Sequence, residues 1–192
     1  YVGFNQEKSF NAVMKNTTPL HGVLILLCIT LCLALVSCAG MPKAPQPGDL
    51  TGAEQLERVK TLVGTWYPTD GGEDADPIAI YRLSANDNSV VERLFPNQKK
   101  EMVTMYFLDD GDLTLTHFCA LSNQPTMVAE PGKAGEIWFR FKGITNLGNR
   151  NNAHMHEHCL QFHDDPNRLD ATWVLWEDNQ EKEARIFPMV RR

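Results

Sequence analysis

"NNAHMHEHCLQF", Asn151–Phe162, is the stretch on which the reading of the fold turns. His154, His156, His158, Leu160 and Phe162 stand at alternate positions, with Glu157 and Gln161 between them. A period of two marks a strand, in which successive side chains point to opposite faces of a sheet. The same rhythm runs through "DLTLTHFCA", Asp112–Ala120. There Leu113, Leu115, His117 and Cys119 share one face, and Thr114, Thr116 and Phe118 share the other. Each strand aligns histidines with large apolar residues that a water-soluble sheet must bury, so His117, His154 and His156 are expected to point inward, with His158 a further candidate.

Working outward, strands are expected near residues 65–68, 78–84, 89–95, 102–108, 113–120, 125–129, 137–142, 154–163, 171–177 and 182–189. Turn-forming residues separate them: Asp70, Gly71 and Gly72; Asn86, Asp87 and Asn88; Asp109, Asp110 and Gly111; Asp164, Asp165 and Pro166; Asp178 and Asn179. No helix-length pattern, Gly-rich phosphate loop or internal repeat interrupts the series. The expectation is an all-β, antiparallel up-and-down barrel of about 8–10 strands, closure being the way such a meander removes its exposed edges. One short helix should precede it near residues 53–62. Thr51 and Glu54 fit a capping box, and Leu56, Val59 and Val63 follow at helical spacing.

The first 37 residues read differently. Met14 is the expected start, with residues 1–13 lying upstream of it. Lys15 precedes an apolar run, Val23–Val36, that is short for a membrane span. The run ends in Leu35, Val36, Ser37 and Cys38, which resembles a bacterial lipobox. That resemblance implies export, cleavage before Cys38 and lipidation of its thiol. Residues 38–50, with Pro42, Pro45 and Pro47, suit a tether, and residues 51–192 form the expected barrel domain. Ala39 follows the cysteine, and by resemblance to enterobacterial sorting this implies a cell-envelope protein anchored in the outer membrane and facing the periplasm. The chain carries −6, and Lys8, Lys15 and Glu7 are the charged residues of its first 37, so the remainder is more acidic still. That balance argues against nucleic acid as a partner. Of five cysteines, only Cys119 and Cys159 lie in the domain, on faces that oppose one another, so no disulfide is expected between them.

"LVGTW", Leu62–Trp66, directly follows the helix and opens the first strand. It resembles the Gly-x-Trp signature of lipocalins and the wider calycin superfamily. The resemblance implies that Trp66 closes the base of the barrel, covered by an arginine from the last strand, for which Arg185 is the candidate. The longer text "YRLSANDNSVVERLFP", "EMVTMYFLDDGDLTLTHFCALSNQPTM" and "HMHEH" is similar to uncharacterised bacterial lipocalin-like lipoproteins over roughly residues 62–188. It implies fold and export, and brings no established activity.

Function must then come from the expected lumen. The ligand-lining set is Tyr106, His117, Cys119, Gln124, His154 and His156. A few polar groups in an apolar barrel orient a small, mostly apolar ligand. The alternative is a metal- or haem-dependent enzyme or binding protein, since three neutral imidazoles, His117, His154 and His156, suit zinc, copper or iron. The cofactor is left open between none, a metal and haem. Cys119 beside His117 offers a Cys–His nucleophile, with no oxyanion site or third orienting residue marked. A cupin is the rival fold: Gly148 followed by His154 and His156 fits the start of its metal motif, but Gln161 stands where an acidic ligand belongs and no histidine follows His163. A structural envelope protein with a filled barrel is the third possibility. The expected partners are a small molecule in the lumen and, through Cys38, a membrane.

Overall fold

The computed structural model describes residues 43–192, so the expected signal segment and the lipidation site Cys38 lie outside the described residues. Among the described residues one helix, α1 (Gly52–Lys60), precedes ten strands: β1 (Gly64–Pro68), β2 (Ala79–Ser84), β3 (Ser89–Leu94), β4 (Met102–Asp109), β5 (Asp112–Phe118), β6 (Gln124–Ala129), β7 (Glu136–Thr145), β8 (His154–Phe162), β9 (Arg168–Glu177) and β10 (Gln180–Arg191). Every strand pairs antiparallel with its neighbours in sequence, and β1 pairs with β10 to close the barrel. The protein is an all-β, up-and-down barrel, which removes the cupin alternative: that fold needs strands that cross between two sheets.

α1 begins where the capping box places it. The Glu54 N–H donates to Thr51 Oγ1 at 3.3 Å, and the Thr51 N–H donates to Glu54 Oε2 at 2.8 Å. The helix buries Gln55, Leu56 and Val59 and packs on β4 and β5. Part of the expected tether is fixed as well. The Leu50 N–H donates to Gly132 O, and Lys133 Nζ reaches Asp49 at 3.1 Å and the Pro47 carbonyl at 2.8 Å. The ordered domain therefore begins before residue 51.

Closure depends on the Gly-x-Trp stretch. Trp66 is fully buried, and its indole N–H donates to Leu62 O at 2.7 Å. The arginine over it is Arg191, with its guanidinium 5.1 Å from the ring centroid, and Arg191 is also the register partner of Trp66. This corrects the expectation for Arg185. β10 runs two residues beyond its expected end, so its final turn of backbone carries the cation past Trp66. Arg185 instead pairs with Glu183 at 2.6 Å on the other side of the strand's length and is well exposed. Arg191 Nη1 donates to Thr61 O and Val63 O, Nη2 to Pro166 O, and Nε to Asn167 Oδ1. Gly64 has φ +140°, and a Cβ there would lie 2.8 Å from Arg191 Cδ. Glycine is the residue that tolerates both that backbone and that approach.

Three register shifts bend the wall, between Thr126 and Met127, Met155 and Glu157, and Glu181 and Glu183. A bulge places two successive residues on one face and reverses the parity beyond it. The shift in β8 falls within the histidine series. His158 pairs with Trp173, Met155 with Leu175 and His154 with Trp176, which leaves His156 as the extra residue of the bulge.

Because Arg191 and not Arg185 holds the seam, Arg191→Ala should cost about 2 kcal/mol in urea unfolding, since several donors to carbonyls and an aromatic contact are lost together. Arg185→Ala should stay within about 0.5 kcal/mol. Trp66→Ala should cost about 3–5 kcal/mol. Equal effects of the two arginine substitutions would contradict this assignment of the seam.

Candidate functional site

The interior is filled near α1 and opens at the other end, where β3 ends, β4 begins, β5 ends, β8 begins and β9 ends. A cavity of about 130 Å³ lies there, lined by Leu94, Phe95, Met102, His117, Met155, Trp173, Leu175, Glu183, Arg185 and Phe187. Most of this wall is aromatic or aliphatic. The edge-on contact of Phe95 and Phe187, with centroids 5.7 Å apart, forms one side. Glu183 and Arg185 hydrogen-bond to each other at the rim.

Beneath the cavity runs a chain of buried polar side chains. His117 from β5 and His158 from β8 both lie against the Trp173 ring, with centroids 4.4 and 3.9 Å away. His117 Nδ1 meets Thr104 Oγ1 at 2.9 Å, and Thr104 is the cross-strand partner of Glu92. Glu92 is fully buried. Tyr81 Oη donates to its Oε1 at 2.6 Å, and Tyr106 Oη lies 3.0 Å from its Oε2. The same Tyr106 Oη lies 3.1 Å from His158 Nε2, and His158 Nδ1 lies 2.9 Å from the Thr172 carbonyl.

These distances constrain the protons. A carbonyl only accepts, so His158 Nδ1 carries hydrogen. If His158 is neutral, its Nε2 is a lone pair and must receive the Tyr106 hydroxyl proton. Tyr106 then has no proton left for Glu92, so Glu92 must donate to Tyr106 as a carboxylic acid. The other arrangement, a carboxylate with an imidazolium, separates two charges in a dry core and is costly. Burial acts in the same direction on both ends. It raises Glu92 above the usual carboxylate range, against three hydroxyl contacts that lower it, and it pushes His158 down to about 3. The chain Glu92–Tyr106–His158 is neutral, with one proton in each of its two hydrogen bonds. Burial likewise pushes His117 down to about 4.

The structure separates the expected site residues. His117 lines the cavity. Tyr106 lies below it, fully buried within the polar chain. His154 and His156 are not among the residues that line the cavity. At the start of β8, His154 Nε2 and His156 Nδ1 are 3.0 Å apart, and the His156 ring stacks 4.0 Å from Trp176 and 4.5 Å from Phe141. The expected convergence of His117, His154 and His156 on one metal is corrected: His154 and His156 meet each other, while His117 shares the Trp173 ring with His158. No group of three or more His, Cys, Asp or Glu side chains among the described residues has the geometry to hold a metal ion. Gln124 does not reach the cavity either, because its Oε1 is held by Thr145 Oγ1 at 2.8 Å across β6–β7. Cys119 also lies off the cavity wall, and burial raises its thiol above the ordinary value, the reverse of nucleophile activation. Cys159 is pushed up to about 12, again by burial first, and both cysteines are free thiols.

Glu92, Tyr81, Thr104 and Trp173 were not singled out from the sequence. One signal was present. In "SVVERL" the carboxyl of Glu92 shares its face with Val90 and Leu94, and an acid in phase with buried apolar residues must be paired or neutral. Comparison with known protein families and with curated proteins finds no match.

The proton count makes a distinct prediction. Glu92→Gln keeps a donor toward Tyr106 and an acceptor for Tyr81, so it should change stability by less than about 1 kcal/mol. Tyr106→Phe strands two buried partners and should cost about 1–3 kcal/mol. A large loss in Glu92→Gln at pH 7 would show that the native group is a carboxylate.

The histidines set the acid limb. Their folded values, about 4 for His117 and about 3 for His158, lie below the ordinary 6.5, so the unfolded chain binds protons that the native state refuses. Stability should therefore fall as pH drops from about 6.5 toward 4, by about 1.4 kcal/mol per pH unit for each histidine. Unfolding of His158→Gln over the same range should show a shallower slope, and an unchanged slope would contradict the burial of a neutral His158.

Proposed function

We propose that the protein is an exported lipoprotein, anchored through Cys38, whose barrel binds a small and mostly apolar molecule in the cavity at its open end. The observation that carries the binding reading is the cavity itself: about 130 Å³, walled chiefly by Leu94, Phe95, Met102, Met155, Leu175 and Phe187, above a floor of Trp173 and His117. Apolar walls with few polar groups are what small-molecule sites share. A cavity of about 150 Å³ is known to accept benzene in another protein, so a single ring sets the scale of the occupant. The neutral polar chain below supports a rigid, uncharged floor. Kinship with calycins and a place in the cell envelope rest on the Gly-x-Trp stretch and the lipobox-like run; the closed meander agrees with the first. The metal or haem alternative has lost the three-histidine convergence on which it depended.

Toluene titrated into the protein should give saturable, one-to-one binding by calorimetry, with shifts of the Trp173 ring signals. Met155→Trp should fill the space and abolish that binding while leaving the fold intact. Without saturable binding in the parent protein, a filled structural barrel becomes the better reading. Cys38→Ala should leave the precursor uncleaved in intact-mass measurement of the membrane fraction, and normal processing would refute the anchor.

A further inference from the structure

Four groups with polar chemistry border the cavity: His117, Trp173, Glu183 and Arg185. The last two neutralise each other at the rim, where Arg185 Nε and Nη2 both reach Glu183 Oε1, so neither charge is left over to select an ionic ligand. His117 differs. It is 1 % exposed, and its Nδ1 is taken by Thr104. Its Nε2 has no hydrogen bond among the described residues, yet it is not one of their sealed, unpartnered atoms, so a small molecule in the cavity can reach it.

Thr104 Oγ1 lies 2.9 Å from His117 Nδ1, and either atom of that pair can carry the proton between them. His117 Nε2 therefore meets the cavity as a lone pair in one tautomer and as an N–H in the other, and the partner it asks for must be able to serve both. A hydroxyl both donates and accepts, whereas a carboxylate would set its charge against a lone pair and an ammonium would bring an unpaired charge into apolar surroundings.

We infer that the occupant is a monocyclic aromatic molecule bearing one hydroxyl, a simple phenol, which hydrogen-bonds through that hydroxyl to His117 Nε2 while its ring lies among Trp173, Phe95 and Phe187. The inference rests on the small-ligand reading above and narrows it to a class. Thr104 is a positioning residue that holds the imidazole ring through its Nδ1.

The test compares phenol, anisole and toluene by calorimetry on the full chain and on His117→Phe. One neutral hydrogen bond should give phenol about a three- to tenfold advantage over anisole and toluene in the parent protein. His117→Phe should erase that advantage and retain toluene. Because His117→Phe also changes the packing on Trp173, the His117 Nε2 nitrogen shift in the parent protein provides a second readout, which phenol should move and toluene should not. Equal binding of phenol and anisole, or a phenol preference that survives His117→Phe, would overturn the class assignment and leave the cavity reading standing. Failure of all three to bind would remove both.

Discussion

Arg191 over Trp66 is the contact on which the rest of the barrel depends. β1 is the shortest strand and pairs with β10 through only three residues, Trp66, Tyr67 and Pro68. Such a seam has few ladder hydrogen bonds of its own. Arg191 adds donors to the carbonyls of Thr61, Val63 and Pro166, which belong to the approach to β1 and to the β8–β9 turn. One planar cation thus joins three separate stretches of chain while its face rests on a buried indole. Gly64 leaves room for it. An open meander would present two unpaired strand edges and lose the shared lumen in which the inward side chains meet.

The polar chain inside is acceptable only because closure brings all its members together. Glu92, Tyr81, Tyr106, Thr104, His117 and His158 come from five strands, and none would be tolerable alone in that core. Together they are neutral, and nearly every polar atom has a partner. That arrangement makes the floor of the cavity stiff: Trp173 is gripped between two imidazoles, each of which is oriented through its other nitrogen or its neighbour. A stiff, neutral floor below apolar walls suits selection by a single hydrogen bond better than selection by charge.

The histidine series shows where a local pattern reaches its limit. The alternation of His154, His156 and His158 was legible, as was the strand that contains them. The break at His156 was not, because the bulge there is a property of the β8–β9 pairing and leaves no mark in the residues of β8 itself. The candidate site was half legible for this reason: His117 lines the cavity, whereas His154 and His156 pair with each other and His158 joins His117 on the Trp173 ring. Gln124 looked like a mouth residue until Thr145 claimed its side chain.

The sequence by itself determined the local elements. Ten runs of alternating or β-branched residues bounded by Asp, Asn and Gly became the ten strands, and Thr51 with Glu54 set the start of α1, because these signals act over a few residues of backbone. It also determined that Gly64 and Trp66 would sit at a special junction. The tertiary structure alone decided which arginine covers Trp66, which of the histidines lines the cavity and what Glu92 binds. Each of those depends on register between strands distant in the chain, and a shift of one residue in that register moves a side chain to the opposite face.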